Sequence, residues 1–409
     1  MAAIDLDAVC LADPAFWKRP DKLDVLAAFR RERPVAWQTF PGRDRGYWSV
    51  TRHAETREVT KDVKRFVSAF GTGMVSETPE EAYTTGGMLN RDAPLHPALR
   101  RIVAQVFTPR LLRNLEDKMA ATARRVVAGV SERGACDFAT DIANRMPLTV
   151  ICDMLDVPEA DRDGLARLTL TALGYGDDKV GGIADSMQAF LALNAYGEEL
   201  ARARRKVPGE DLITMMVKAE VDGEALTDRD IGIYFQLLIT AGIETTASSI
   251  AQGMAFLARH PDQWAAWRAD YDGLVATALE EIVRYASPVV HFGRTTVADT
   301  VIGGQEIAKG DQVVFWYVSA NRDEAAFADP DRFDIARSPN DHVGYGGGGP
   351  HHCLGMHLAR REMHHFFRTL FETLPDLEID LDAMRPIHGM FINGMHSLPC
   401  RFTPRRLAS

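Results

Sequence analysis

The chain has 409 residues, 46% of them hydrophobic, and a net charge of −10. That is enough for a large soluble core, and the absence of a dominant basic tract argues against nucleic acid as the main ligand. Residues 1–22 carry Asp5, Asp7, Asp13 and Lys18 and no long apolar run, so neither a signal peptide nor a membrane anchor is expected. Five widely spaced cysteines (Cys10, Cys136, Cys152, Cys353, Cys400) suggest a reducing cytoplasm without a disulfide framework. No linker or internal repeat divides the sequence, so one domain over 1–409 is expected.

In chain order, apolar residues recur at three- and four-residue steps over 21–32, 96–106, 111–130, 138–155 and 183–205, which predicts helices. Short β-rich runs at 35–40 and 47–51 read as a hairpin around Pro41-Gly42, and 300–307, 312–318 and 391–402 are further strand candidates. Two segments, 68–90 and 174–182, lack a pattern and read as mobile loops. Thr227 and Asp230 form a capping box that starts a helix near Asp228, and His260-Pro261 ends it near Arg259. Between Asp230 and Arg259 its one charge is Glu244, in Ala241-Gly242-Ile243-Glu244-Thr245-Thr246. A buried carboxylate is costly, so this one needs a reason. The small residues would let a flat ligand approach, and a threonine hydroxyl can bond back one turn.

Tyr345-Gly346-Gly347-Gly348-Gly349-Pro350-His351-His352-Cys353-Leu354-Gly355 is the most informative stretch. One cysteine ends a glycine run where a loop enters a helix. The helix dipole and turned backbone N–H groups would ease the charge of a thiolate there. That suits the axial ligation of haem iron. An inert buried cysteine is the plain alternative. Zinc is a weaker rival, because His351, His352 and His357 cluster with Cys353 but no second cysteine lies nearby.

The stretch resembles the haem-ligand loop of the cytochrome P450 family, F-x-x-G-x-[HR]-x-C-x-G. Gly349, His351, Cys353 and Gly355 fall on that pattern. Tyr345 stands one place before the usual Phe, and Gly346 takes the usual place, as in a bacterial subgroup. Ala241–Thr246 matches the family's [AG]-G-x-[DE]-T, and Asp92-Ala93-Pro94-Leu95-His96 with Arg100 matches D-x-P-x-H-x-x-x-R. His96 and Arg100, four apart on a helix, form a two-cation clamp for a propionate. Glu281-Ile282-Val283-Arg284 matches E-x-x-R, with Arg332 expected as its third partner and Arg337 as the rival.

The resemblance implies a mainly α fold with small β-sheets, and haem b (heme iron) between the long Thr-containing helix and the helix after the Cys353 loop. It implies that Cys353 ligates iron, that Tyr345, Gly346, Ala241 and Gly355 touch the cofactor, and that Arg294 and His351 meet its propionates. Glu244 and Thr245 would deliver protons to reduced oxygen. Met88, Leu89, Leu237, Ala241, Val289, Val290, Phe292, Phe391 and Ile392, with Asn393, would line an apolar substrate pocket. The implied activity is a monooxygenase of terpenoid-, sterol- or branched-lipid-like molecules. It would be a cytoplasmic monomer fed by O2 and by a ferredoxin and ferredoxin reductase. A secondary-metabolite tailoring oxidase is the alternative, and a peroxide-driven enzyme or a haem sensor without turnover are rivals. Ferredoxin would dock near Arg101, Arg110, Arg113, Arg360 and Arg361.

Overall fold

The computed structural model describes residues 4–41, 45–74, 78–107, 115–221 and 223–406. The fold is organised by one helix, Asp228–Arg259. Its start is the predicted capping box: Thr227 Oγ1 accepts from the Asp230 N–H, and the Asp230 carboxylate accepts from the Thr227 N–H. At about 1.5 Å per residue its 32 residues run about 48 Å through the core. Helix Ile183–Lys206 lies along it. The two backbones meet at Gly197 and Gly232, where a Cβ on Gly232 would stand 2.5 Å from Asn194 O.

A five-stranded sheet flanks the helical body. Its spatial order is Val35–Thr39, Gly46–Val50, Gln312–Trp316, His291–Thr296, Phe66–Val67. The first two strands are the predicted antiparallel hairpin, with Trp37 opposite Trp48. Gln312–Trp316 runs parallel to Gly46–Val50 and antiparallel to His291–Thr296. This pairing delivers residues 289–294 to the middle of the molecule. Leu11, Phe16, Trp17 and Trp316 close a core between the N-terminal segment and this sheet, and Phe138, Phe366, Trp267 and Ile250 belong to the larger helical core.

Several elements depart from the sequence expectation. Residues 68–90 are not one loop, because Pro79–Gly86 is helical, capped by Thr78 and Glu81, and is followed by a 3-10 turn, Gly87–Asn90. Residues 138–155 form a π-helical turn, Phe138–Ala143, and then a helix, Arg145–Met154. The strand predicted over 391–402 shrinks to Met395–Ser397 and Pro399–Arg401. The one predicted over 300–307 is a tight hairpin, Thr300–Ile302 with Gln305–Ile307. Of the helix predicted over 111–130, Glu116–Ser131 is observed, and 111–114 lie outside the described residues. Residues 174–182 form a loop tied by Gly176 N–H to Gly181 O.

Candidate functional site: a cysteine-facing cavity under the long helix

The loop before helix Met356–Thr373 turns through Gly346, Gly348 and Gly349, whose φ values are +96°, +101° and +81°. Side chains with a Cβ avoid this region. A Cβ on Gly349 would also stand 2.5 Å from Thr60 O. Cys353 N–H donates to Tyr345 O at 2.9 Å, which closes the turn. Cys353 then faces an internal cavity of about 260 Å³, and its exposed surface belongs to that cavity. Burial pushes the Cys353 thiol up, while the N–H groups of Gly355 and Met356 and the charges of Arg100 and Arg360 pull it down. The loop N–H groups thus favour the thiolate, while desolvation opposes it and is the larger effect.

Ala241, Gly242, Thr245, Thr246 and Ser249 of the long helix form the facing wall. Thr245 Oγ1 donates back to Ala241 O at 2.8 Å, and Ser249 Oγ to Thr245 O at 2.9 Å. Glu244 is 5% exposed and burial lifts its carboxyl to about 7. It lines neither this cavity nor the one above it. A second acid, absent from the sequence reading, does line the cavity. Glu362 is 3% exposed, its Oε2 has no partner among the described residues, and burial lifts it to about 8. Its signal was available: it sits between Leu358 and Phe366 at four-residue steps, on the buried face of an amphipathic helix.

His96, Arg100, Arg294 and His351 gather at one edge of the cavity. The rings of His96 and His351 lie 4.0 Å apart. Burial and the neighbouring arginines hold His96 down to about 4 and His351 down to about 2. His96 and Arg100, paired in the sequence reading, both stand at this edge, and Arg294 adds a second guanidinium. Arg100 Nη2 donates to His352 O at 2.7 Å. Arg294 is 3% exposed, and Nη1 donates to Gly293 O at 2.7 Å while Nε has no partner. His351 Nδ1 is likewise unpartnered. Buried cations and orphaned donors at one edge fit an anionic group.

Behind the cysteine loop, Arg284 grips Glu281 through two hydrogen bonds of 2.7 and 2.8 Å, with both side chains fully buried. The third side chain is Arg337, whose Nε donates to Glu281 at 3.1 and 3.2 Å. Arg332 was expected there, but it supplies its backbone carbonyl. The carbonyls of Ala328, Asp329 and Arg332 curl around the Arg337 guanidinium and fix it beneath Glu281.

A second cavity, of about 430 Å³, adjoins the first and shares Leu89, Leu237, Ala241, Thr245, Val289 and Phe292 with it. Phe391 lines the upper cavity and Met88 the lower one. Val290 and Ile392 line neither. Along an extended chain, neighbours point to opposite sides, so Val290 packs in the Val314/Trp316 core and Ile392 in the cluster of Leu173 and Ile387. Asn393 also turns away, donating to Ala286 O at 2.6 Å. Wall residues missed in the sequence include Phe40, Met74, Phe190, Gln236 and Met390. Phe190 and Gln236 sit on correctly predicted helices whose facing sides were not assigned.

Of the five arginines expected to meet a partner, Arg360 forms a two-pronged ion pair with Glu280 and stands 4.8 Å from the Tyr345 ring centre. Arg361 pairs with Glu116. Arg101 is exposed, and Arg110 and Arg113 lie outside the described residues.

A sulfur on one wall, small residues on the facing wall, two arginines at one edge and apolar surroundings fit an iron porphyrin held by a thiolate. That is the haem-thiolate class of proteins. Comparison with known proteins agrees: the family described as Cytochrome P450 matches residues 190–390. The chain is 40% identical over 395 residues to the methyl-branched lipid omega-hydroxylase of Mycobacterium tuberculosis, covering 94% of this chain and 92% of that protein. It is 36% identical to the steroid C26-monooxygenase of Mycolicibacterium smegmatis, covering 95% and 92%. A Mycobacterium marinum cytochrome P450 solved in complex with pseudoionone superimposes with a TM-score of 0.91 at 36% identity, covering 98% of this chain and all of that one. This chain belongs to the cytochrome P450 family and is a haem-iron monooxygenase. Among the described residues, no helix is long and apolar enough to cross a membrane.

Proposed function

We propose that the protein hydroxylates an apolar, lipid-like molecule of the methyl-branched, terpenoid or steroid kind, with electrons from a ferredoxin and its reductase in the cytoplasm. The observation that carries this reading is the junction of the two cavities. The apolar upper cavity opens onto Ala241 and Thr245, directly over the cavity that Cys353 faces.

Bound haem supplies the activation of dioxygen. Cys353 would hold its iron, and Arg100 and Arg294, with His96 and His351, its propionates. Leu89, Leu237, Val289, Phe292 and Phe391 orient the substrate and exclude water. Glu244 still holds a proton on its carboxyl near neutral pH, which suits a donor whose operating pH is close to its pKa. Thr245 Oγ1 positions the acceptor of that proton.

The test has two arms. The reduced, CO-bound spectrum should report thiolate ligation, and Cys353→Ser should lose that band while its far-UV circular dichroism is kept. Incubation with ferredoxin, reductase, NADH and a panel of branched lipids, terpenoids and steroids should give hydroxylated product. Product from macrolides but from none of that panel would refute the substrate class.

A further inference from the structure

We propose that Asp177 is a positioning residue for substrate. Its carboxylate locks loop 174–182 to the segment 387–396, so that two separate stretches of the upper cavity's wall move as one, and a bound molecule leaves when that lock opens. The inference rests on the reading of this cavity as the substrate site and adds the residue that sets how long substrate stays there.

Loop 174–182 leads into helix Ile183–Lys206. Tyr175 lines the cavity from the loop, and Met390 and Phe391 line it from the distant segment. Ile183 also lines the cavity yet is 61% exposed, so the cavity's rim lies where the loop ends. The two stretches touch closely. Met390 N–H donates to Tyr175 O at 3.1 Å. Gly176, at a φ of +89°, lies flat against Met390, where a Cβ would stand 2.8 Å from Met390 Cγ.

Asp177, 6% exposed, fixes this contact. Its Oδ2 accepts from His388 N–H at 2.8 Å. Its Oδ1 accepts from Lys179 N–H at 2.9 Å and from His396 Nε2 at 3.0 Å. A carboxylate only accepts, so Nε2 carries the hydrogen. Burial opposes ionisation, but the N–H of His388, the His396 ring and the N–H of Lys179 hold the Asp177 carboxyl below its ordinary value. If the loop lifts off the segment, this buried charge loses the donors of His388 and His396 together, which is costly. Another tie of the same loop, Lys18 to Asp178 at 2.7 Å, joins two exposed side chains. Such surface pairs contribute little. The buried carboxylate is therefore the stronger hold on this wall.

The experiment follows the Soret band of the haem-loaded protein by stopped flow as three probes leave it. A methyl-branched C16 alcohol reports through the spin state. N-dodecylimidazole binds haem iron through nitrogen and carries a chain that needs the cavity. Imidazole makes the same bond to iron without the chain. In Asp177→Asn the alcohol and dodecylimidazole should leave about tenfold faster, the effect of roughly one charge-assisted hydrogen bond, and imidazole should leave at the wild-type rate. Lys18→Met should change release by less than about twofold. A merely structural Asp177 would lower the melting temperature and leave all release rates alone, which overturns the proposal. Imidazole accelerated as much as dodecylimidazole would place the effect at the iron and overturn it too, and equal acceleration in Lys18→Met would overturn the assignment to Asp177. Should Asp177→Asn fail to fold, His396→Leu removes one donor and should still speed release severalfold; unchanged release there overturns the proposal. An alcohol that gives no spin shift refutes the lipid-like reading instead, and dodecylimidazole then decides the role of Asp177 alone.

Discussion

Glu244→Gln should make the protein more stable at neutral pH and no more stable in acid. Burial raises the Glu244 carboxyl from the ordinary 4.5 to about 7, with no opposing cation. Between those values the folded chain keeps the proton and the unfolded chain has released it. The unfolded state then binds fewer protons, so wild-type stability falls as pH rises from about 4.5 to about 7. That stability is fully present below about 4.5 and gone above about 7. At 1.36 kcal/mol per pH unit the loss is about 3 kcal/mol. Glutamine has the same shape and does not titrate. Its advantage over the wild type should be near zero at about pH 4.5 and grow to about 3 kcal/mol by about pH 7.5. Guanidinium unfolding of the haem-loaded proteins at both pH values measures this. Equal differences at the two would refute the reasoning and mean that Glu244 is ionised in the folded protein. Activity should move the other way, with proton delivery slowed.

Arg337→Ala should destabilise the protein by about 3–5 kcal/mol, because it strips a partner from buried Glu281, whereas Arg332→Ala should stay within about 0.5 kcal/mol; thermal melts distinguish the two. Thr245→Ala should leave haem and substrate spectra intact but raise the peroxide released per NADH and lower the product formed, and unchanged coupling would move the proton path elsewhere. Arg101→Glu should slow reduction by ferredoxin severalfold and weaken its salt dependence, as read by stopped-flow; a rate indifferent to both salt and charge would reject that face as the docking surface.

The parts of this molecule that were readable in sequence are those whose chemistry is local. The capping box at Thr227 and the stop at His260-Pro261 bound the long helix to the residue. The glycine run announced positive φ values, and those are where the ligand loop turns. Helix Pro79–Gly86 was missed because Glu80, Glu81, Thr84 and Thr85 leave little apolar periodicity, although Thr78-Pro79-Glu80-Glu81 is itself a capping signal. Arg337 was only a rival to Arg332, because the choice is made by backbone carbonyls of a turn, which no side-chain pattern encodes. Val290 and Ile392 were misplaced because hydrophobicity says that a residue is buried, not which of two cores receives it. The charge states were least legible. His96 titrates near 6.5 by type, but burial and then the charge of Arg100 pull it down to about 4.

The long helix shows why burial and function must be weighed together. One face meets Ile183–Lys206 so closely that Gly232 admits no side chain, and another presents Ala241 and Thr245 to the two cavities. A helix with so much of its surface enclosed has little room for charge, and between Asp230 and Arg259 it carries Glu244 alone. At neutral pH that carboxyl costs about 3 kcal/mol relative to an amide of the same shape, a large fraction of the stability of an ordinary domain. Packing gives no return for it, since among the described residues neither salt bridge nor cation offsets the burial. What an acid has and an amide lacks is a proton that leaves near pH 7. Its neighbour Thr245 places a hydroxyl at the junction of the two cavities. We propose that the proton consumed in the reaction comes from this acid, Glu244, which is the use that the stability given up would have.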